Sequence, residues 1–158
     1  MPVTGENTMK CTAAMAATVI GLISYAPAQA EEDALEQGAY DVAVRLELPH
    51  VENAGAQKIA TICIDKADPG GTFGLAVLSE NNPLGHCPAS NVHQEGDTLT
   101  FDIKCPGGNA AVASAKYILL GQRFDARIAM KMGGKNMTMT EVQTGHRTGD
   151  CPASSPHS

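Results

Sequence analysis

The sequence predicts a mainly β domain, an antiparallel meander that forms a curved sheet or a partly open barrel and is held by two disulfides. Residues 40–48 alternate apolar and polar side chains, which is the pattern of a strand with one buried face. Glycine-rich turn signals recur along the rest of the chain. Cys87 and Cys105 lie at equal distances on either side of Gly96, in a segment that can fold as one hairpin.

The first half of the domain is predicted to contain two strands and a long loop. The strand at 40–48 is followed by a turn at 53–55 and by a returning strand at 57–64, rich in β-branched side chains. The loop that follows is long enough to be functional or locally folded. Within it we expect one short helix at residues 72–79, with Thr72 as its cap and Asn81-Asn82-Pro83 as its stop.

Three hairpins are predicted in the second half. The first turns at Gly96, the second joins 110–120 to 123–132 through Gly121-Gln122, and the third continues through the turn 133–136 to a strand at 137–144. Successive strands joined by short turns are typical of an antiparallel meander.

An export signal is predicted at residues 1–30. Met9-Lys10 gives a short basic start, residues 11–25 are apolar, and Ala28-Gln29-Ala30 has the small-x-small pattern of a cleavage site. The apolar run is shorter than the ~20 residues that a membrane-spanning helix requires, so we expect cleavage and not an anchor. The mature chain would begin at Glu31 and reside in the periplasm.

The mature chain has the length of one domain, which we place at residues 31–152, followed by a polar, proline-rich tail at 153–158 that is not expected to fold. The formal net charge of −6 argues against nucleic acid or an anionic membrane surface as partner. With no tryptophan, three phenylalanines and three tyrosines, the core is expected to be aliphatic and methionine-rich.

Removal of Cys11 with the signal leaves four cysteines, Cys63, Cys87, Cys105 and Cys151. An even set in an exported chain favours two disulfides, for which three connectivities exist. A four-cysteine zinc site is the alternative, but the close cysteine pairs that such sites usually have are missing. The hairpin at Gly96 favours pairing Cys87 with Cys105, which leaves Cys63 and Cys151 to each other.

The register of this hairpin has two solutions. A three-residue loop at 95–97 places the two cysteines directly opposite each other, but it puts Val92 and Phe101 on different faces. A two-residue Gly96-Asp97 turn pairs Val92 with Phe101 and then requires a bulge, which we place at Pro88 because proline cannot donate to the ladder.

Several segments together resemble a known family. They are Gly38-Ala39-Tyr40, Thr61-Ile62-Cys63, the hairpin 87–105, the alternation Met137-Thr138-Met139-Thr140, and the ending from Arg147 to Pro152 with its Gly149-Asp150-Cys151. The chain resembles, over 38–152, the bacterial family catalogued as domain of unknown function 3617, small exported proteins of Gram-negative cells. Tyr40 stands where that family usually has tryptophan. The resemblance implies a periplasmic β domain and supplies no catalytic residues.

Four methionines provide the clearest chemical hypothesis. Met130, Met132, Met137 and Met139 alternate along the last hairpin, so that each pair projects from one face. Thioether sulfurs are ligands for Cu(I), and imidazoles could join them from His50, His86, His93 and His146. The alternative is that the methionines fill gaps in an aromatic-poor core, as methionine does well.

No reaction is identified by the sequence. A Gly-x-Ser-x-Gly elbow is missing, and we interpret Asp65, Asp68 and Asp150 as solubilising loop carboxylates. An enzyme would have to use the long loop, with Asp65, Asp68 and His86 converging on a pocket. We therefore expect a binding or structural module that is not an enzyme and needs no cofactor. Its partner would be a small apolar or lipid-like ligand on the concave face of the sheet, or an envelope protein.

Overall fold

The computed structural model describes residues 34–49, 51, 57–108, 110–133 and 137–152. They form seven strands: β1 (Gly38–Glu47), β2 (Lys58–Ile64), β3 (Ala89–Glu95), β4 (Thr98–Lys104), β5 (Val112–Leu119), β6 (Arg123–Met132) and β7 (Met137–Gly149). All pair antiparallel in one sheet of order β2-β1-β7-β6-β5-β4-β3. The predicted mainly β meander is confirmed, and the sheet is not closed.

Some predictions lie outside the described residues. These are the export signal at 1–30, the turn at 53–55, His50, most of the turn 133–136 and the tail at 153–158. Within the described part of the chain, no helix has the length and the apolar character needed to cross a membrane.

The period-two pattern divides the sheet into two faces. Tyr40, Val42 and Val44 on β1 are buried, as are alternate residues of β4, β5 and β6. We call this the inner face and the opposite one the outer face. The ring of Tyr117 lies 5.6 Å, between centroids, from each of the rings of Phe101 and Phe124, at the centre of the inner face.

Residues 65–88, which we call the strap, connect β2 at one edge of the sheet to β3 at the other. The strap crosses the inner face, where its Leu75, Val77 and Leu84 are buried in the core. The apolar face on which we expected a ligand is therefore covered by the chain itself. Strand β7 extends to Gly149, beyond the predicted end at residue 144, because it pairs with both β1 and β6.

The short helix of this loop lies later than predicted. Residues 72–79 form one turn, in which the amide of Leu75 donates to the carbonyl of Thr72, and then continue without helix or strand. The helix is a 3-10 turn at Pro83–His86, and the side chain of Asn82 caps it by accepting a hydrogen bond from the amide of Leu84. Asn82-Pro83, predicted as a stop, is thus a start, because asparagine at the cap and proline in the first turn favour helix initiation.

The hairpin β3–β4 combines the two predicted registers. Glu95 pairs with Thr98 around a two-residue turn, and Ala89 pairs with Ile103 further along. Between them a bulge absorbs one residue at Asn91-Val92, where Asn91 adopts a φ of 54°. The bulge predicted at Pro88 was wrong in position, because asparagine tolerates a positive φ better than most residues do. Val92 lies in this bulge and is exposed, as is every residue of β3.

Both predicted disulfides are confirmed. Cys87 and Cys105 are joined with their Cα atoms 4.8 Å apart, and Cys63 and Cys151 with theirs 5.5 Å apart. The first staples the two strands of one hairpin, and the second ties edge strand β2 to the chain that leaves β7.

Candidate functional site

A row of side chains crosses the outer face of the sheet at right angles to the strands. The registers place six residues side by side on β1, β7, β6, β5, β4 and β3: Glu47, Thr140, Ala129, Ser114, Asp102 and Ser90. With neighbouring strands ~4.8 Å apart, the row extends about 24 Å along the curved sheet. Its middle members are small, and the space above them is a groove of 740 Å³ that all six residues line.

Positively charged residues flank this row. One side is formed by the next row of the outer face, which contains Lys104 and Lys131, and both of these lysines line the groove. On the other side the registers align Arg45, Arg127 and Lys116. Rows on one face are about 7 Å apart, so these cations lie close to the floor. The lining itself holds two lysines and two carboxylates, so it is the further cations in the neighbouring row that make the surroundings of the groove basic, on a chain whose net charge is −6.

Asp102 is fixed at one end of the groove by two hydrogen bonds. Its carboxylate accepts from the side-chain amide of Asn91 at 2.9 Å and from the hydroxyl of Ser114 at 2.8 Å. The bonds from Asn91 and Ser114 lower the pKa of Asp102. The bulge that positions Asn91 therefore also orders the floor of the groove.

Glu47 at the other end is paired with two arginines. Its carboxylate lies 2.6 Å from Arg127 and 2.7 Å from Arg45. The hydrogen bond from Arg127 outweighs partial burial and lowers the pKa of Glu47. Lys104 and Lys131 form no ion pair with any residue that the structure describes. The carboxylates are thus already engaged, while these two lysines are available to a ligand.

A second polar cluster lies in the core and clamps the strap. Glu141 and Gln143 on β7 are fully buried on the inner face. The carboxylate of Glu141 accepts from the amides of Leu78 at 2.8 Å and Ser79 at 3.0 Å, and from the side-chain amide of Gln143 at 2.6 Å. The first two bonds hold the strap against the sheet, and the third joins neighbouring side chains of β7.

Tyr117 completes this clamp. Its single hydroxyl proton is shared between the side-chain oxygen of Gln143 and the carbonyl of Ala76, both at 3.2 Å. Burial, reinforced by the negative charge of Glu141, raises the pKa of Tyr117, so the hydroxyl remains a neutral donor. Sequence reasoning missed Glu141 and Gln143, although the alternation Met139, Glu141, Gln143 placed them on one face of the last strand.

The predicted loop carboxylates order the strap. Asp68 accepts hydrogen bonds from the amide and the hydroxyl of Thr72, both at 3.0 Å, and Asp65 accepts one from the amide of Ala67 at 2.8 Å. Asp150 pairs with Arg147 at 2.7 Å. Asp65 and Asp68 thus hold turns of their own loop.

The histidines are distributed over different elements: His86 in the 3-10 turn, His93 on β3 and His146 on β7. Among the described residues, no three histidine, cysteine, aspartate or glutamate side chains are grouped in a way that could hold a metal ion. The structure thus does not bring the predicted imidazoles to one place.

The methionines oppose each other across the β6–β7 ladder. Met130 pairs with Met139, and Met132 pairs with Met137. Their exposure increases toward the end of the hairpin, from 2% at Met130 to 49% at Met137. The sulfur of Met130 accepts a hydrogen bond from the side-chain amide of Asn82 in the strap.

The fold and the groove define a class of protein, a disulfide-stapled open β meander whose own strap fills its inner face. The sequence profile of the family described as protein of unknown function, DUF3617, matches residues 35–151. The chain belongs to this family, as the resemblance indicated. Comparison with curated proteins and with solved structures gives no significant match.

Proposed function

We propose that this chain is an exported, periplasmic binding module without catalytic activity, and that its ligand lies in the outer groove. The observation that carries the proposal is the groove itself, a 740 Å³ depression with hydroxyl groups and with two lysines that form no ion pair within the described part of the chain. Two disulfides support an oxidising compartment, as does the signal pattern at residues 1–30.

The direction of the groove limits how it can recognise a ligand. It runs across the strands, whose backbone amides and carbonyls are already paired in the ladder. Recognition must therefore use side chains, and those available are the hydroxyls of Ser90, Thr138 and Thr140 together with two lysines. This set suits an elongated, hydroxyl-rich ligand that carries negative charge, an anionic oligosaccharide of the cell envelope. It replaces our expectation of an apolar ligand.

The absence of catalysis is supported by the groups in the lining. The hydroxyl of Ser114 donates to Asp102, and the described lining contains no histidine or cysteine. Activated nucleophiles require a neighbouring base or a lowered pKa of their own. In the groove as described, the only base beside Ser114 is the carboxylate of Asp102, and its lowered pKa makes it a weak base.

The test is a binding measurement with the mature protein. Anionic and neutral envelope oligosaccharides of matched length would be titrated by calorimetry against wild type and the double variant Lys104→Gln/Lys131→Gln. We expect the anionic series to bind and the double variant to bind it more than about tenfold more weakly, since each tenfold corresponds to about 1.4 kcal/mol. Ala129→Leu, which fills the floor, is expected to weaken binding with no loss of folding.

Arg123→Gln is the matched control, because Arg123 lies exposed on the same face of β6 outside the groove. Equal binding by wild type and by the double variant would refute the groove as the site. Preference for neutral over anionic oligosaccharides would refute the proposed ligand class.

Soft-metal binding by the methionine hairpin is the alternative function. A specific observation favours it, the pairwise opposition of the four methionines across one ladder. It uses thioether sulfurs and not the charged and hydroxyl groups of the groove, so it can be tested separately.

A further inference from the structure

The methionine pairs at the open end of the β6–β7 hairpin form a cluster that packing does not fully explain. Met130 is 2% exposed and hydrogen-bonded to Asn82, as expected for a core residue. Met132 and Met139 are half-buried against the edge of the core, and Met137 is 49% exposed. An exposed methionine at the end of a hairpin contributes little to hydrophobic burial.

The ladder places three of these thioethers within reach of one another. Met132 and Met137 are direct cross-strand partners, so their Cβ atoms are ~4.5–5.5 Å apart. Met139 lies diagonally opposite Met132, at the ~7–8 Å that long side chains can bridge. The three flexible bonds of each methionine allow the sulfurs to converge on one point.

The chemistry of the thioether group indicates which metal ion such a cluster would bind. Neutral thioether sulfur is a soft donor, which favours Cu(I) over hard cations such as Mg²⁺ or Ca²⁺. Three such sulfurs suffice for a trigonal site without any of the histidines. Met130 is not needed, because its sulfur already accepts a hydrogen bond inside the core.

We propose that Met132, Met137 and Met139 form a Cu(I) site at the end of the β6–β7 hairpin, with Met130 as its buried, non-ligating neighbour. The site shares only Met139 with the lining of the oligosaccharide groove, and it narrows the soft-metal alternative to three named ligands. No change of oxidation state is part of the proposal. Cu(I) binds as supplied and leaves as Cu(I).

The test is a competition titration of the mature, disulfide-intact protein with Cu(I), kept reduced by ascorbate, against a chromophoric Cu(I) chelator. Wild type is expected to take up one equivalent. The triple variant Met132→Leu/Met137→Leu/Met139→Leu is expected to lose more than about 100-fold in affinity, since even residues that only orient metal ligands are worth about 10–100-fold. Leucine keeps the apolar volume, and Leu-for-Met exchanges usually cost less than about 1.5 kcal/mol, so the variant should fold.

Met130→Leu is the control and is expected to bind Cu(I) as wild type does. Ag(I), a redox-inert analogue, should shift the methyl NMR signals of Met132, Met137 and Met139 and leave that of Met130 in place. Three results would overturn the proposal: no saturable uptake by wild type, full uptake by the triple variant, or equal losses in the triple variant and in Met130→Leu.

Discussion

Glu141 is a carboxylate without exposed surface, and three N–H donors surround it. Two of them are backbone amides of the strap, which has no regular partner strand at that point. A buried amide without an acceptor costs about 1–3 kcal/mol, so this one side chain satisfies groups that would otherwise oppose burial of the strap. The role of this carboxylate is thus to hold the path of a loop.

Replacement of Glu141 tests this role. Glu141→Ala leaves the amides of Leu78 and Ser79 without acceptors and is expected to destabilise the domain by about 3–5 kcal/mol. Urea unfolding followed by circular dichroism measures the loss. Glu95→Ala, at an exposed position of β3, is the control and should change the free energy of unfolding by less than about 0.5 kcal/mol. Similar losses in both variants would contradict the clamp.

At the scale of elements, the strap is not helical over most of the segment where a helix was predicted, and its hydrogen bonds explain the difference. Residues 72–79 have the composition of a helical turn, yet the chain beyond Leu75 is not helical. In this conformation the carbonyl of Ala76 accepts a hydrogen bond from the side chain of Gln143. The amides of Leu78 and Ser79 donate to the carboxylate of Glu141. Tertiary hydrogen bonds thus override the weak local preference for helix.

Asp68 makes the stability of this element depend on pH. Partial burial opposes its ionisation, but hydrogen bonds from Gly70, Thr72 and Gly74 together lower its pKa below the ordinary value of an aspartate. A lowered folded-state pKa adds stability above the unfolded pKa, and this stability is lost as the pH falls through the folded value. We expect Asp68→Asn to be less stable at pH 7 and to lose less stability than wild type between about pH 5 and 2.

The measurement is the urea midpoint at a series of pH values. Asp97→Asn, in the β3–β4 turn, serves as the charge-matched control. Parallel pH curves for wild type and Asp68→Asn would show that the hydrogen bonds of Asp68 do not stabilise the strap.

At the scale of the whole molecule, the two disulfides constrain loops of different length. Cys63–Cys151 closes a loop with a sequence separation of 88, and Cys87–Cys105 one of 18. In the chain-entropy account, these loops are worth about 4.6 and about 3.2 kcal/mol, respectively. The long bridge also secures β2, which is an edge strand and otherwise pairs with β1 alone.

We therefore expect the double variant Cys63→Ala/Cys151→Ala to lose more stability than Cys87→Ala/Cys105→Ala, by about 1–2 kcal/mol. Each variant is the control for the other, since both remove one bridge. The free energies of unfolding in urea decide the order. A greater loss on removal of the hairpin bridge would show that local contacts of the bridge, and not loop length, dominate.

The sequence by itself determined the features that depend on neighbouring residues. Period-two alternation located the strands, glycine turns located the hairpins, and the symmetry about Gly96 paired Cys87 with Cys105. These features are local, because side-chain alternation and turn chemistry act within a few residues.

Only the tertiary structure decided which strands are neighbours and what covers the core. Placing β1 beside β7 aligns Glu47 with Thr140 and completes the row that forms the groove, while the strap fills the inner face. Such pairings join residues far apart in sequence, and competing pairings differ by a few kcal/mol of packing and hydrogen bonding that no local pattern encodes. For this reason the fold class and the staples were predictable, and the groove and the Glu141 clamp were not.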